Sequence, residues 1–258
     1  MKKSILLLIF AGGMFFASNA YAVDGVVLIN QTNALAGNVT PGDTPGFPVT
    51  ISQPGSYRLS SNLSIPDPGT PIGTAGGIEI KSDNVTIDLN GFTIFGGASC
   101  FLSGGNFGCN GPAVSGIFAL SGFSNITIRN GIIRDLMYWA VSLPSCKDVL
   151  LDHLMFVSSS YNVFAPNGAN VVIRDCLAIL SGGAYLNNGI VEGVVLANGD
   201  FGMIGNSLTV RDSLFVGNLS SSFSAGSIVG FSGVSFMGEP APTSGFSLGQ
   251  NTLNGVIW

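Results

Sequence analysis

The stretch Asn84-Val85-Thr86-Ile87-Asp88-Leu89-Asn90-Gly91-Phe92-Thr93-Ile94 is two short apolar segments separated by Asn90-Gly91, a pattern typical of two strands joined by a turn. Versions of its first triplet, residues 85–87, return at residues 126–128, 149–151, 171–173 and 208–210. The residue numbers step by 41, 23, 22 and 37, so two of the steps are a single period of about 22 residues. We interpret the two longer steps as one period plus an insertion.

A bend is predicted shortly after each triplet. That position holds Asn, Asp or His, the non-glycine residues that best tolerate a positive φ: Asn90, Asn130, His153, Asp175 and Asp212. Another apolar strand follows each bend, and a further one precedes each triplet, with residues 193–196 chosen for the fifth unit. Three strands in about 22 residues predict one coil of a parallel β-helix, in which equivalent strands pair about 4.8 Å apart and inward side chains stack.

On this strand–Asn/Asp–strand pattern, residues 77–257 resemble the right-handed parallel β-helix of the pectin lyase-like superfamily. More narrowly, the chain is similar to bacterial exported proteins described only as right-handed β-helix repeat proteins. The resemblance implies an all-β fold of three-strand coils. It leaves function open, because the superfamily holds lyases, hydrolases, esterases, epimerases, tailspikes and adhesins. The Asn-Thr-Asp, Asp-Asp and Gly-His-Gly strings of polygalacturonase-like hydrolases do not occur in this sequence.

The amino terminus predicts export. Lys2 and Lys3 precede an apolar run, residues 5–16, and Ala20-Tyr21-Ala22 follows, which is the order of a Sec-type signal peptide. The run is too short to span a bilayer comfortably, so no membrane span is expected in the mature chain, although an uncleaved anchor is the alternative. We therefore assign residues 1–22 to the signal peptide, 23–76 to an N-terminal cap with the first strands, and 77–258 to the repeats, and expect a periplasmic, cell-surface or secreted protein.

The charge of the mature chain limits its partners. Without the two leader lysines, seven basic residues face fourteen acidic ones, a formal charge of 7 − 14 = −7. Nucleic acid and anionic lipid are not expected as partners, because both require clustered Lys and Arg.

Charged residues directly follow the triplets, at Asp88, Arg129, Asp152, Arg174 and Arg211. These positions are expected to point outward, because the apolar residues before them point inward. One interpretation is a binding strip for an acidic polysaccharide around Arg174 and Arg211. The favoured one is a solvated ladder of ion pairs that sets the register and contributes little to stability.

Three other groups of residues are candidates for a site. Glu79 is expected to point outward within a charged spot, and Asp135 with Tyr138 and Trp139 could line a sugar groove walled by the insertion at residues 96–115. The alternative is that the two aromatic residues only cover a loop. His153 is the single histidine, so a multi-histidine metal site is excluded and no metal site is predicted; a turn role is favoured over that of a general base.

Four cysteines in an exported chain can form disulfides. Cys100 and Cys109 bracket the glycine-rich insertion, so their pairing would staple that loop. The pairing of Cys146 with Cys176 stays open.

Together these observations predict an exported β-helix module that binds a glycan or a surface partner without catalysis. The alternatives are a polysaccharide lyase or hydrolase acting on an acidic polysaccharide, and a structural or adhesin-like protein. No cofactor is expected, and calcium would be needed only by a lyase.

Overall fold

The computed structural model describes residues 25–67, 75–103, 106–199, 203–205, 207–217, 223–225, 229–237, 246–247, 250–253 and 256–257. The predicted signal peptide, residues 1–22, lies outside the described residues. Within these residues the protein is all-β apart from one short helix, and none of the described helical structure is long and apolar enough to cross a membrane.

The elements are numbered in chain order. Helix α1 spans Gln31–Ala36, and the side chain of Asn30 caps it by accepting a hydrogen bond from Asn33 N at 2.8 Å. The first twelve strands are β1 (Val26–Ile29), β2 (Val49–Ile51), β3 (Gly55–Leu59), β4 (Leu63–Ser64), β5 (Gly76–Ile80), β6 (Val85–Asp88), β7 (Thr93–Phe95), β8 (Ser99–Ser103), β9 (Asn106–Asn110), β10 (Ser115–Phe118), β11 (Ser124–Ser142) and β12 (Lys147–Ala165). The others are β13 (Ala169–Arg174), β14 (Leu177–Ser181), β15 (Ala184–Leu186), β16 (Gly189–Glu192), β17 (Val195–Ala197), β18 (Met203–Gly205), β19 (Leu208–Arg211), β20 (Leu214–Val216), β21 (Phe223–Ala225), β22 (Val229–Ser232), β23 (Ser235–Met237), β24 (Phe246–Ser247), β25 (Thr252–Leu253) and β26 (Val256–Ile257).

Twenty-four of the described strands form one sheet, and its pairings are parallel except for that of β25 with β26. From β13 to β20 each strand pairs with the third strand further along the chain, as in β13–β16–β19–β22 and β14–β17–β20–β23. The long strand β12 covers three such positions, because it pairs with β13, β14 and β15 along its length. The repeat of three strands predicted from the sequence is therefore present in the pairing.

We name the strands of each repeat by their order. First strands include β5, β10 and β15; second strands include β6, β13, β16 and β19; third strands include β7, β14, β17, β20 and β23. In β11 and β12 the second, third and first strands follow one another without a break. Residues in register across successive strands form a column, and the predicted column of Val85, Ile126, Val149 and Val171 is confirmed.

One repeat was missed in the sequence. The 37-residue step between residues 171 and 208 was interpreted as one period plus an insertion, but β16 lies between β13 and β19 and pairs with both, which gives two periods of 18 and 19 residues. The stretch 193–196, expected as a first strand, contributes to β17, which is a third strand paired with β14 and β20. Gly189 concealed the missing triplet, because a Cβ at this position would lie 2.4 Å from Val171 O, so glycine replaces the branched residue found in the other repeats.

The predicted bends are confirmed by the backbone. The residues in this column have a left-handed φ between 49° and 59°: Asn90, Asn130, His153, Asp175 and Asp212. A second left-handed column, which was not predicted, stands before the second strands at Asn84, Asn125, Asp148, Asn170 and Ser207. Asn and Asp tolerate this conformation because their short polar side chains bond locally.

The core is formed by the inward side chains of all three strands. In the third strands the middle residue of each is at most 3% exposed: Ile94, Ile133, Phe156, Ala178, Leu196, Phe215 and Phe236. Phe215 and Phe236 stack with ring centroids 5.5 Å apart. The strands bury these side chains only against neighbouring repeats, so the repeats depend on one another for stability.

Side chains close the sheet edge at the amino-terminal end. The amide of Gln31 donates to Ser64 O at 3.2 Å and accepts from Ser64 N at 2.8 Å, much as a paired strand would. Asp43 Oδ1 accepts from Thr50 N at 2.7 Å, and the Thr40 hydroxyl donates to Thr50 O at 2.6 Å. These contacts satisfy backbone groups that would otherwise be open to another strand.

The insertion at residues 96–115 contains a separate antiparallel hairpin, β8–β9, and the predicted Cys100–Cys109 disulfide joins its two strands. The base of the hairpin is bonded to the end of a third strand, from Gly96 N to Arg134 O at 3.1 Å and from Ala98 N to Asp135 O at 2.7 Å. The hairpin contacts β11, β12 and β14, so it extends over the repeats that follow it.

Candidate functional site

The predicted charge column runs through seven successive second strands, and its signs alternate along the whole length. Each residue is in register with the next. We call the column the charge ladder, and its members are Arg58, Asp88, Arg129, Asp152, Arg174, Glu192 and Arg211. Alternation is expected on physical grounds, since paired strands hold these side chains about 5 Å apart and like charges at that distance repel.

Neighbours along the charge ladder form ion pairs. The shortest nitrogen–oxygen distances are 3.0 Å between Arg174 and Asp152 and 2.9 Å between Arg211 and Glu192. Arg129 and Arg58 share Asp88, at 3.4 Å and 3.8 Å. Both arginines of the predicted polysaccharide strip, Arg174 and Arg211, therefore have a carboxylate partner within the protein.

The pKa of Asp152, at the centre of the charge ladder, is shifted from its usual value. Burial would raise the pKa of Asp152, but hydrogen bonds from Arg174 and His153 outweigh it and lower that pKa. The same hydrogen bond to Asp152 raises the pKa of the Arg174 guanidinium. The structure thus favours the charged form of both partners.

His153 lies beside this pair in the bend column. Its Nδ1 is 2.9 Å from Asp152 Oδ1, and its side chain is 60% exposed. Ligand atoms of Asp152, His153 and Asp175 all lie within 4.8 Å of one another, a spacing that could hold a metal ion. Arg174 Nε lies 3.0 Å from Asp152 and 3.7 Å from Asp175, however, so a side-chain cation already bridges the two carboxylates.

The aromatic residues gather at the corner between third and first strands. Trp139 stacks on Tyr161 at 4.4 Å and on Phe164 at 4.5 Å between ring centroids, with interplanar angles of 29°. Tyr185 continues the stack from Phe164 at 5.7 Å, and Tyr138 meets Trp139 edge-on at 6.1 Å. All five side chains are half-buried. We call them the aromatic strip: Tyr138, Trp139, Tyr161, Phe164 and Tyr185.

The stacking leaves two kinds of surface on the aromatic strip. Phe164 lies between Trp139 and Tyr185, so both of its faces are covered by rings. Tyr161 and Phe164 both belong to the strand that follows Trp139, so both stack on the side of Trp139 that faces the next repeat. The opposite side of Trp139 is not stacked on any other ring of the strip.

The two predicted acidic site residues lie in different places, and both are buried. Glu79 is 7% exposed and bonds Lys81 Nζ at 2.8 Å. Asp135 is also 7% exposed and bonds Arg134 Nε at 2.6 Å at the base of the hairpin. Tyr138 and Trp139 are in edge-on contact, whereas the carboxylate of Asp135 is buried at its ion pair and offers little surface to a ligand.

Four residues of these surfaces were missed in the sequence. Arg58 precedes the first recognised triplet, and Glu192 ends the missed strand β16. Tyr161 and Tyr185 follow corners of different length, so their register with Trp139 and Phe164 is not visible in the spacing. Tyr or Trp residues that recur shortly after several third strands are the sequence signal that could have revealed the two tyrosines.

Cys146 and Cys176 are free, buried thiols. Burial raises the pKa of Cys146, and it raises the pKa of Cys176 to about 12. The open question of their pairing is thus answered by two protonated thiols, and neither is suited to nucleophilic chemistry, which needs a thiolate.

A separate cleft of about 450 Å³ lies near the amino-terminal end, between β1, β3 and the loop before β2. Val27, Val39 and Tyr57 form its apolar wall. The Tyr57 hydroxyl donates to Gln53 O at 2.8 Å, and burial raises the pKa of this phenol. The cleft contains none of the site residues predicted from the sequence.

Comparisons with protein-family models, with curated proteins and with solved structures give no match to this chain.

Proposed function

We propose that this protein is an exported, non-catalytic module, wound as a right-handed parallel β-helix of the pectin lyase-like type, that binds a glycan along the aromatic strip. The observation that carries the proposal is the cluster of five half-buried aromatic side chains at one corner of the sheet. The register of strands three apart supports the winding, because a chain that returns to pair with its own equivalent strand completes one turn per repeat.

The composition of the aromatic strip favours a sugar ligand. Tyr and Trp present a large apolar body with a polar tip, which suits ligands that carry both C–H faces and hydroxyl groups. Such rings are enriched where proteins bind partners. A pyranose ring offers C–H bonds to the indole of Trp139 and hydroxyls to the phenols beside it.

The charges support a binding role over catalysis. The two acidic candidates, Glu79 and Asp135, are each buried against a cation, and the arginines of the charge ladder are paired with carboxylates. A general acid or base needs access to the substrate. Binding through aromatic side chains needs no ionisable group.

The binding test compares two aromatic residues in different places. Soluble galactomannan, xyloglucan, alginate and polygalacturonate are titrated by calorimetry into the wild type, Trp139→Leu and Phe95→Leu. Phe95 is a matched control because it is 39% exposed on a third strand outside the strip. We expect binding of at least one polysaccharide, lost about tenfold or more in Trp139→Leu and unchanged in Phe95→Leu. Absence of binding across the panel, or equal binding by all three proteins, would contradict the proposal.

A second candidate function rests on the Asp152–His153 contact. An imidazole oriented by a carboxylate, with Arg174 beside it, has the elements of a base and a charge neutraliser for a lyase acting on uronates. The test is the absorbance of unsaturated uronate released from alginate and polygalacturonate, with and without calcium. Release that is lost in His153→Gln would replace the non-catalytic proposal with this one.

A further inference from the structure

One repeat of the core has alanine at two inward positions. Ala178 is the middle residue of β14, where the preceding repeat has Phe156 and the following one has Leu196. Ala184 begins β15 and takes the position that Val163 holds one repeat earlier. A cavity of about 20 Å³ lies at this level of the core, and its lining includes Phe156, Asn162, Cys176, Ala178, Ala184 and Leu196. The cavity follows from the two small side chains, because their larger neighbours in the column are held in place by the strands.

The cavity is enclosed by residues whose positions are all described. Its lining residues belong to the range 156–196, which the structure describes without a gap. Each of them is at most 3% exposed. A molecule in the cavity is therefore surrounded by protein and separated from bulk solvent.

Asn162 brings a polar group to this apolar interior. Its Nδ2 donates to Gly182 O, and its backbone N donates to Gly183 O at 3.1 Å. Its Oδ1 is buried and has no hydrogen-bond partner among the residues that the structure describes. Because Nδ2 is bonded to Gly182, Oδ1 is the atom of this amide that remains for the cavity. A buried amide oxygen without a partner is unfavourable, since it gives up its hydrogen bond to water on folding.

Two further polar atoms lie at the same corner. Ser181 directly precedes Gly182 and is 0% exposed, and its Oγ also has no hydrogen-bond partner within the described part of the chain. The Cys176 thiol lines the cavity and donates to Arg174 O at 3.2 Å, which leaves its sulfur as a weak acceptor. The corner thus offers a carbonyl acceptor, a hydroxyl donor and a weak sulfur acceptor.

We infer that this cavity binds one internal water molecule, which donates a hydrogen bond to Asn162 Oδ1 and has the Ser181 hydroxyl and the Cys176 sulfur as its other partners. A cavity needs roughly 10–15 Å³ of such space to hold one water, and the water needs two to four polar partners. The size therefore admits one water and excludes a larger solute. No charged side chain lines the cavity, so an ion would be buried without compensation.

The water site lies on the inner side of the corner that carries the aromatic strip. Asn162 stands between Tyr161 and Phe164, whose rings stack on Trp139. The water completes the hydrogen bonds of the backbone turn from which these two rings project. This role does not depend on which ligand the strip binds.

The test combines a high-resolution crystal structure with oxygen-17 relaxation dispersion of water, which counts water molecules held inside a protein for longer than its tumbling time. Ala178→Leu places the residue of the next repeat in the cavity, and Ala184→Val copies the preceding repeat. Ile94→Val is the control, because Ile94 is a 0% exposed middle residue of another third strand.

We expect a density peak about 2.5–3.0 Å from Asn162 Oδ1 in the wild type. We also expect one long-lived water fewer in Ala178→Leu and in Ala184→Val than in the wild type, and no change in Ile94→Val. Neither alanine variant should have a raised melting temperature, because the added side chain displaces the water and leaves Asn162 Oδ1 unpaired.

Four results would overturn the inference. They are the absence of a peak at Asn162 Oδ1, a count of long-lived water that is unchanged in both alanine variants, an equal loss in Ile94→Val, or a melting temperature that rises in both alanine variants. The last result would show a dry cavity, which added methyl groups fill with a gain in stability.

Discussion

The charge ladder and the aromatic strip occupy outward positions of the same repeats, yet they relate differently to their surroundings. In the charge ladder each side chain forms an ion pair with a neighbour one strand away, so opposite charges are paired within the column. In the aromatic strip four rings stack face to face, Tyr138 meets Trp139 edge-on, and all five side chains stay half-exposed. A column whose charges are paired internally stabilises the register of the strands. A column whose side chains stay partly exposed can contact a partner.

The comparison also shows how one repeat can carry several outward surfaces. Parallel pairing places equivalent positions of successive repeats next to each other, so their side chains form a column. Charge in such a column must alternate, while aromatic and aliphatic residues can repeat without penalty. The second strands carry the alternating charges, and the corner between third and first strands carries the aromatic residues.

The largest expected effect on stability comes from truncating a core side chain of the strand that carries residues of both surfaces. Phe156 is 2% exposed in β12, the strand that carries Asp152 of the ladder and Tyr161 of the strip. Phe156→Ala should destabilise the protein by about 3–5 kcal/mol, because it removes a buried ring and leaves a cavity. Denaturant unfolding measures the loss, and Phe95→Ala is the control, since an exposed ring should cost far less. Equal costs for the two substitutions would contradict the assignment of inward and outward sides.

A smaller effect is expected when the disulfide of the β8–β9 hairpin is removed. The double substitution Cys100→Ser with Cys109→Ser removes the disulfide, and closure of a loop of about ten residues is worth roughly 2–3 kcal/mol. The loss should be confined to the hairpin, with faster proteolysis between β8 and β9 and an unchanged pH profile of unfolding. Reduction of the disulfide in the wild type should cause the same faster proteolysis. A hairpin that resists proteolysis equally well without the disulfide would contradict this prediction.

A still smaller effect is expected from breaking the centre of the ladder. The folded-state pKa of Asp152 lies below its usual value, which is about 3.9. A carboxyl of this kind adds stability above its unfolded pKa and loses it as the pH falls through the folded pKa. Asp152→Asn should therefore lower the melting temperature slightly at pH 7, and the difference from the wild type should shrink as the pH falls through the folded-state pKa of Asp152.

A double-mutant cycle with Arg174→Gln separates this pair from general effects. The effects of the two single substitutions on the melting temperature should be less than additive in the double variant at pH 7, and closer to additive at pH 2. If the coupling between the two substitutions were the same at pH 7 and pH 2, the ion pair would contribute nothing to stability.

The smallest signal is expected from the buried thiols, which belong to neither surface. Cys146 and Cys176 are buried, and the pKa of Cys176 is raised to about 12, so neither forms a thiolate near neutral pH. Ellman's reagent should detect almost no thiol in the native protein and two per chain in guanidinium. Complete absence of thiol in the denatured protein would show that Cys146 and Cys176 are paired.

Much of the fold was predictable because stacking repeats leaves a period in the sequence. The column of Val85, Ile126, Val149 and Val171 and the left-handed bends such as Asn130 follow from local chemistry that a single chain displays. The strand β16 was hidden because Gly189 is set by the close passage of another strand, a constraint that only three dimensions show.

The candidate site was less predictable for a related reason. Tyr138 and Trp139 are adjacent in sequence and could be named together from it, whereas Tyr161 and Tyr185 join them only through the register of corners with different lengths. The burial of Asp135 depends on how the hairpin base and Arg134 fold over it. Spacing along the chain does not encode either arrangement.

The central claim is that a glycan binds at Trp139, and the indole itself can report on it. The chain has two tryptophans, Trp139 and Trp258, so Trp258→Phe leaves Trp139 as the only tryptophan fluorophore. In this variant, titration with the polysaccharide that binds the wild type should shift the emission and protect the indole from acrylamide quenching. Binding that leaves both emission and quenching unchanged would place the ligand elsewhere and contradict the account.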